Sequence, residues 1–339
     1  MGVNQPRLRF GVIGCAEIAE RRTIPGLLAH PEIDLVAVAS RQADKAGRFA
    51  QRFGCAAVQG YDHLLEDADI SAVYIPLPAM LHAEWVERAL LAGKHVLVEK
   101  PLGSSHFQAV ELTELARGKG LVLLENMMFL RHSRHRRVAE LLADGAIGAL
   151  RGLTSTFTIP PKPPDDIRYQ PTGGGALLDI GCYPARAAMY FLGPDLTVDG
   201  SVLRYDRSRE VVLSGAVLLT NSAGVIAHLD FGLEHSYRSD YELSGSTGRL
   251  TVERAFTPPP TFSPTVRIHR QSGTEEIVLP PEDQFLGMLD FFVDAVRGAA
   301  DPSPSVDETV GLARLLDTIA LRAHTVYTRH GPYSDPGFA

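Results

Sequence analysis

Cysteine is scarce in this chain of 339 residues, with three, at positions 15, 55 and 182. An odd number without a Cys-x-x-Cys pair argues against a disulfide framework and against a structural zinc site, and points to a reducing setting. No run of about 18 apolar residues occurs, and Met1 to Arg9 carries no apolar stretch of the kind that directs secretion, so a cytoplasmic location is expected. Lysine stands only at 45, 94, 100, 119 and 162, and no basic tract is present. With a net charge of −7 the chain would repel a polyanion, which makes nucleic acid an unfavourable partner.

What is there is a globular composition, 45% hydrophobic and 22% charged, over a length greater than one hydrophobic core usually fills. Two domains with a cleft between them follow. Leu8 to Gly14 is an apolar run ending in glycine and leading into a helical stretch through Leu28, as a buried parallel strand feeds its crossover helix. The alternation continues with strands at Ile33 to Ser40, Ala72 to Ile75, His95 to Glu99 and Leu121 to Glu125. Helices are expected at Gln42 to Phe53, Ala79 to Leu91, Ser105 to Arg117 and His132 to Asp144. Such an order predicts an α/β Rossmann-type, doubly wound parallel sheet over residues 1–126.

Beyond about residue 147 the texture changes to period-2 alternation at Leu150 to Thr158, Val211 to Leu219, Gly224 to Phe231 and Ser236 to Leu243. These segments predict an α+β domain over 127–339 with a mainly antiparallel, open-faced sheet. A leucine- and alanine-rich helix at Val306 to Val326 closes the pattern and could pack back on the first domain. An apolar open face would need a cover, and a homo-oligomer, dimer or tetramer, is the expectation.

The first strand-to-helix turn reads Gly14-Cys15-Ala16-Glu17-Ile18-Ala19. Small residues there let helix N–H groups meet a pyrophosphate, although alanine at 16 and 19 departs from the strict glycine fingerprint, and an ordinary βα turn reads the same way. After the second strand, Ser40-Arg41 replaces the acidic residue that would accept both ribose hydroxyls. A hydroxyl and a guanidinium suit a 2′-phosphate, which selects NADP(H) over NAD(H). Pro76-Leu77 with His82, and Glu99-Lys100-Pro101, follow the third and fourth of these strands, at the carboxyl edge where open α/β sheets bind ligands. A surface ion pair between Glu99 and Lys100 is the plainer alternative, and Pro101 could be cis.

Two further clusters carry polar residues. Glu125-Asn126-Met127-Met128-Phe129 with His132 and His135 could line or cap the cleft; two histidines without a third ligand do not make a metal site. Asp179 and Tyr183, four apart after Gly173-Gly174-Gly175, put a carboxylate and a phenol on one helix face, able to orient a hydroxyl and pass a proton to a carbonyl oxygen. A nearby lysine cation, Lys100, would favour the phenolate of Tyr183. A helix cap and a packed tyrosine are the alternative.

Taken in order and spacing, Gly11-Val12-Ile13-Gly14, Glu99-Lys100-Pro101, the Gly173 to Tyr183 stretch and Gly245-Ser246-Thr247-Gly248 resemble the glucose-fructose oxidoreductase, inositol dehydrogenase and rhizopine-catabolism (Gfo/Idh/MocA) family. The resemblance implies catalytic roles for Lys100 and Asp179, with Tyr183 where inositol dehydrogenase-like members carry histidine. It also implies cofactor contacts along the turns already named and at Asn126. Asp166-Ile167-Arg168-Tyr169 and Tyr183 further resemble the sugar-nucleotide C-3 ketoreductases of antibiotic deoxysugar pathways, the kijanose type above all. That implies NADPH reduction of a dTDP-linked 3,4-diketo-2,6-dideoxyhexose, with Phe129, Arg168 and Tyr169 near the substrate. Dehydrogenases of free sugars or trans-dihydrodiols share the scaffold, as do dinucleotide-binding regulators; retention of Lys100 and Tyr183 argues against a regulator.

Overall fold

A computed structural model describes residues 6–328. The expected domain limits at residues 1 and 339 therefore lie outside the described residues. Helices and strands alternate through the first part: β1 (Leu8–Ile13), α1 (Ile24–Ala29), β2 (Ile33–Ser40), α2 (Ala43–Phe53), β3 (Ala56–Gln59), α3 (Tyr61–Leu65), β4 (Ala72–Ile75), α4 (His82–Leu91), β5 (His95–Val98), α5 (His106–Lys119) and β6 (Leu123–Glu125). All six strands pair in parallel in the order β3-β2-β1-β4-β5-β6. That is the dinucleotide-binding order, with the chain switching direction between β1 and β4.

Both faces of this sheet are covered, which is why its strands read as apolar runs rather than alternating ones. Ile13, Val73, Ile75, Val96 and Val98 pack on one side, whereas Phe10, Val12, Tyr74, Leu97 and Leu124 belong to the core shared with the second half of the chain. The helix expected after Gly14 starts at Glu17 and passes through a π-helical turn at Ala19–Thr23 before continuing as α1.

The second part comprises α6 (Ser133–Ala143), β7 (Leu150–Thr158), α7 (Cys182–Leu192), β8 (Leu196–Asp206), β9 (Val211–Asn221), β10 (Ile226–Gly232), β11 (Arg238–Gly245), β12 (Arg249–Glu253), β13 (Thr265–Arg270), β14 (Gly273–Val278), α8 (Gln284–Val296), α9 (Ser303–Leu321) and β15 (His324–Thr328). Its nine strands run in the order β14-β13-β12-β11-β7-β10-β9-β8-β15, antiparallel except at β7–β10 and β8–β15. The terminal helix expected to reach Val326 thus stops at Leu321, and the chain re-enters the sheet as β15. β3, α3, β8, β12 to β14 and α8 complete the architecture beyond the elements anticipated.

α8 and α9 return to the first sheet. Phe292 of α8 meets Phe10 of β1 with ring centroids 5.4 Å apart, and Arg297 pairs with Glu32. α9 lies against α5 and β6, where Asp317 Oδ2 accepts from the His106 amide at 2.8 Å. Removing the Phe292 ring would leave a cavity on this seam, at a cost of about 3–5 kcal/mol. Phe292→Ala should therefore lower the urea midpoint markedly; an unchanged midpoint would mean that the seam does not support the fold.

Candidate active site

At the carboxyl edge of the parallel sheet β1, β4, β5 and β6 deliver their loops side by side. Gly14, the first residue after β1, has φ +116°, and a Cβ there would stand 2.7 Å from Leu77 Cδ2 in the loop after β4. Only glycine lets these two loops meet. Cys15 is buried beside them, and desolvation lifts its thiol to about 11, so it stays protonated. Ala16 and Ile18 are half-buried and Ala19 is buried, leaving the small-residue turn intact. The Ser40 hydroxyl accepts from the Gln42 amide at 3.2 Å, while Arg41 is exposed next to the Tyr61 phenol.

His82 is buried with Nδ1 2.6 Å from the Pro101 carbonyl and Nε2 2.7 Å from the Leu77 carbonyl. Burial pushes its imidazole down to about 4, against the pull of the two carbonyls, which favour the form with an N–H on each ring nitrogen. The Lys100-Pro101 peptide is cis. Beneath it the Tyr74 hydroxyl accepts from Thr23 at 2.9 Å and donates to Glu99 Oε1 at 2.6 Å, where Asn126 Nδ2 also donates at 2.7 Å. This buried chain ties the helix after the Gly14 turn to β4, β5 and β6. Sequence reasoning missed Tyr74 and Thr23, although a tyrosine inside an otherwise aliphatic strand is itself a signal.

Lys100 and Asp179 come from the two parts of the chain. The Lys100 ammonium donates to Asp179 Oδ1 at 2.7 Å and to the Asp179 carbonyl at 2.5 Å. Burial would raise the carboxyl, but Lys100 and Arg168 outweigh it and hold Asp179 below the usual carboxylate range. Burial would likewise lower the amine, yet the Asp179 carboxylate outweighs it and keeps Lys100 charged, well above its ordinary value. The loop after the proline-rich stretch Pro160 to Pro164 supplies Arg168, whose Nε donates to Asp179 Oδ2 at 2.9 Å while its Nη1 pairs with Asp166 at 2.9 Å. The carboxylate thus sits between two cations. Gly175, at φ +64°, permits the chain to pass Val212, whose carbonyl would lie 2.8 Å from any added Cβ.

The helical face expected to carry Asp179 and Tyr183 is in part a π-helical turn, Leu177–Gly181, running into α7. The two side chains nevertheless converge, because Lys100 Nζ lies 5.3 Å from the Tyr183 ring centroid. Tyr183 stands among Phe129, Phe157 and Phe256, with centroids 5.1 to 5.8 Å away. Desolvation in this apolar cage raises its phenol well above 10 and outweighs the opposing pull of Lys100. Lys100 pulls the phenol toward the phenolate as expected, but burial outweighs that pull and Tyr183 holds its proton. Among the described residues its hydroxyl reaches the weak acceptor Met128 Sδ, at 4.0 Å.

Four other expected residues have structural surroundings. Phe129 is 1% exposed and backs Tyr183 rather than walling an open pocket. Tyr169 is buried, its hydroxyl accepting from the Lys162 amide and its ring lying under Arg209. His132 accepts from the Arg134 amide at the start of α6, and His135 is fully buried 3.0 Å from the Tyr241 hydroxyl, so neither lines the cleft. Among the described residues, no three His, Cys, Asp or Glu side chains converge as metal ligands would.

The edge as a whole fits a dinucleotide. The Gly14 turn brings small residues to the start of the first crossover helix, and among the described residues nothing reaches Asn126 Oδ1, a buried acceptor. This combination of a switch-point crevice with a lysine–aspartate–tyrosine cluster defines an oxidoreductase of the dinucleotide-binding class. Residues 8–127 match the oxidoreductase family with an NAD-binding Rossmann fold, and residues 135–251 match the GFO/IDH/MocA C-terminal domain, so the chain belongs to the GFO/IDH/MocA family.

Within that family it is 59% identical over 293 residues to a dTDP-3,4-didehydro-2,6-dideoxy-alpha-D-glucose 3-reductase of Streptomyces antibioticus, a match spanning 86% of this chain and 89% of that one. It is 52% identical over 325 residues to the reductase of the same name from Actinomadura kijaniata, spanning 96% and 98%. The crystal structure of a 3-ketoreductase from Actinomadura kijaniata in complex with NADP and TDP-benzene covers 96% of this chain and 100% of its own, with a TM-score of 0.94 at 52% identity. Gly14→Ala, which places a methyl group against Leu77 in strained backbone, should weaken dinucleotide binding by about tenfold or more. Fluorescence titration reads this, and retained affinity would remove the turn from the cofactor site.

Proposed function

We propose that this chain uses NADPH to reduce the C-3 carbonyl of dTDP-3,4-diketo-2,6-dideoxy-D-glucose, giving dTDP-4-keto-2,6-dideoxy-D-glucose for deoxysugar assembly in antibiotic biosynthesis. The observation that carries this reading is the convergence of Lys100, Asp179 and Tyr183 at the switch-point edge, in a chain 52–59% identical to reductases so named.

When bound, the dihydronicotinamide supplies the hydride; the protein orients the ketone and handles charge and proton. Gly14, Cys15, Ala16, Ile18 and Ala19 form the pyrophosphate turn, and Ser40 with Arg41 receives the 2′-phosphate. Pro76, Leu77, Glu99, Pro101 and Asn126 border the nicotinamide end, with His82 holding two of their loops. Lys100 has a third N–H that no described residue takes, and it polarises the C-3 oxygen as negative charge grows there. Tyr183, kept protonated by its apolar cage, delivers the proton to that oxygen. Asp179 fixes the ammonium and, once Arg168 turns toward the substrate, frees one carboxylate oxygen for a sugar hydroxyl. Phe129 and Tyr169 shape the substrate side from beneath.

The division at residue 126, a cytoplasmic location and a homo-oligomer belong to the same reading. Among the described residues no helix is long and apolar enough to cross a membrane. Val202, Leu218, Ile226 and Val326 are exposed on β8, β9, β10 and β15, and their association would give a dimer or tetramer.

Two measurements test the proposal. Calorimetry should show NADPH binding in preference to NADH, with dTDP giving its own signal; if NADH wins, the Ser40-Arg41 reading fails, and a silent dTDP titration would favour a free sugar. Tyr183→Phe should lower kcat by roughly 10²- to 10⁴-fold, the range for loss of a general acid. Nearly full turnover in that variant would assign the proton to another donor.

A further inference from the structure

The turn that carries Lys100 is gripped at every step by side chains of other elements. The Pro101 carbonyl lies against His82 Nδ1, the Leu102 amide donates to Glu125 Oε1 at 2.8 Å, and the Ser104 amide donates to Gln108 Oε1 at 2.9 Å. The His106 amide donates to Asp317 Oδ2 of α9. α9 also reaches Glu125 itself, since the Thr309 hydroxyl donates to Glu125 Oε2 at 3.3 Å. Glu125 is therefore the junction of three elements: it ends β6, holds the backbone two residues past Lys100, and is held in turn by α9.

We infer that Glu125 is a positioning residue for the ketone reduction, setting the height of Lys100 against Asp179 and Tyr183 through the Leu102 amide, with Thr309 of α9 fixing its carboxylate. Nothing in the proposed chemistry requires Glu125 to touch substrate or cofactor. A carboxylate is nonetheless costly at this depth: the group is 7% exposed, and burial lifts it to about 7 against the pull of the Leu102 amide, Arg186, Thr309 and Lys100. It borders a cavity of about 20 Å³ also lined by Arg131, Arg186, Ser305, Glu308 and Thr309, large enough for one water and too small for a ligand. With no room for a substrate on that side, the contact with the Leu102 amide is what the cost supports.

The inference rests on the catalytic role given to Lys100, and its test separates the two. In Glu125→Ala the Leu102 amide loses its acceptor, so a peptide covering residues 99–107 should exchange its amide hydrogens about tenfold faster while distant peptides stay unchanged. In the same variant kcat for the diketo sugar should fall about tenfold with KM and NADPH affinity nearly constant, because orientation rather than binding is lost. Glu125→Gln, which keeps an acceptor oxygen for Leu102 and an amide for Thr309, should restore both, and Thr309→Val should give a smaller version of the alanine defect. Unchanged exchange in Glu125→Ala, or faster exchange with an intact kcat, would overturn the inference. So would a glutamine variant as impaired as the alanine one. A wild-type protein that reduced no diketo sugar would count against the proposed function alone, since hydrogen exchange still decides whether Glu125 holds the turn.

Discussion

The largely buried ion pair between Lys100 and Asp179, its side chains 12% and 21% exposed, is the constraint on which the rest of the arrangement depends. It joins residues 79 apart in sequence, one after the fifth strand of the parallel sheet and the other before a helix of the second domain. Neither charge could stay at that depth alone, because an uncompensated buried ion costs several kcal/mol. Each therefore fixes the other, and with them the width of the cleft. Arg168 adds a second cation to the same carboxylate from a loop on the far side, so three segments meet on one carboxyl group.

Around that pair the protein separates two tasks by environment. The ammonium and the carboxylate stay charged because they face each other. The Tyr183 phenol stays neutral because three phenylalanine rings surround it. The cage is itself anchored: the fully buried Arg134 donates through Nη2 to the Ala255 carbonyl at 2.5 Å, next to Phe256. Side chains so packed lose little further freedom when a ligand arrives, which is what preorganisation of a site means in physical terms.

Much of this was legible in the sequence, for identifiable reasons. Strands buried on both faces leave long aliphatic runs, so β1, β2, β4, β5 and β6 could be placed from Val, Ile and Leu alone, and the polar residues at their carboxyl ends then fell into one edge. Gly14 and the cis Lys100-Pro101 bond follow from residues with few conformational choices. Other features depend on partners the sequence does not align. β3 and β14 are short and exposed and carry little apolar signal. β15 follows a helix with only Arg322 and Ala323 between them, so its residues read as the helix continuing. The sign of the Tyr183 shift needed the three rings, which come from Phe129, Phe157 and Phe256. Glu125 and Tyr74 acquire meaning only through Leu102, Thr309, Thr23 and Glu99, none of them adjacent in the chain.

The grip of α9 on the Lys100 turn has a consequence for how the protein is made. His106 and Asp317 are 211 residues apart, so on the ribosome the parallel sheet has left the exit tunnel long before its last tether exists. At roughly 5–20 residues per second the interval is tens of seconds. During that time the nascent chain has the strands and the glycine turn of a nucleotide fold; it lacks the Asp179 carboxylate at first, and the helix that steadies the lysine throughout. Cofactor capture can precede the ability to reduce anything, and competence arrives late, as a single event, when the last long helix docks.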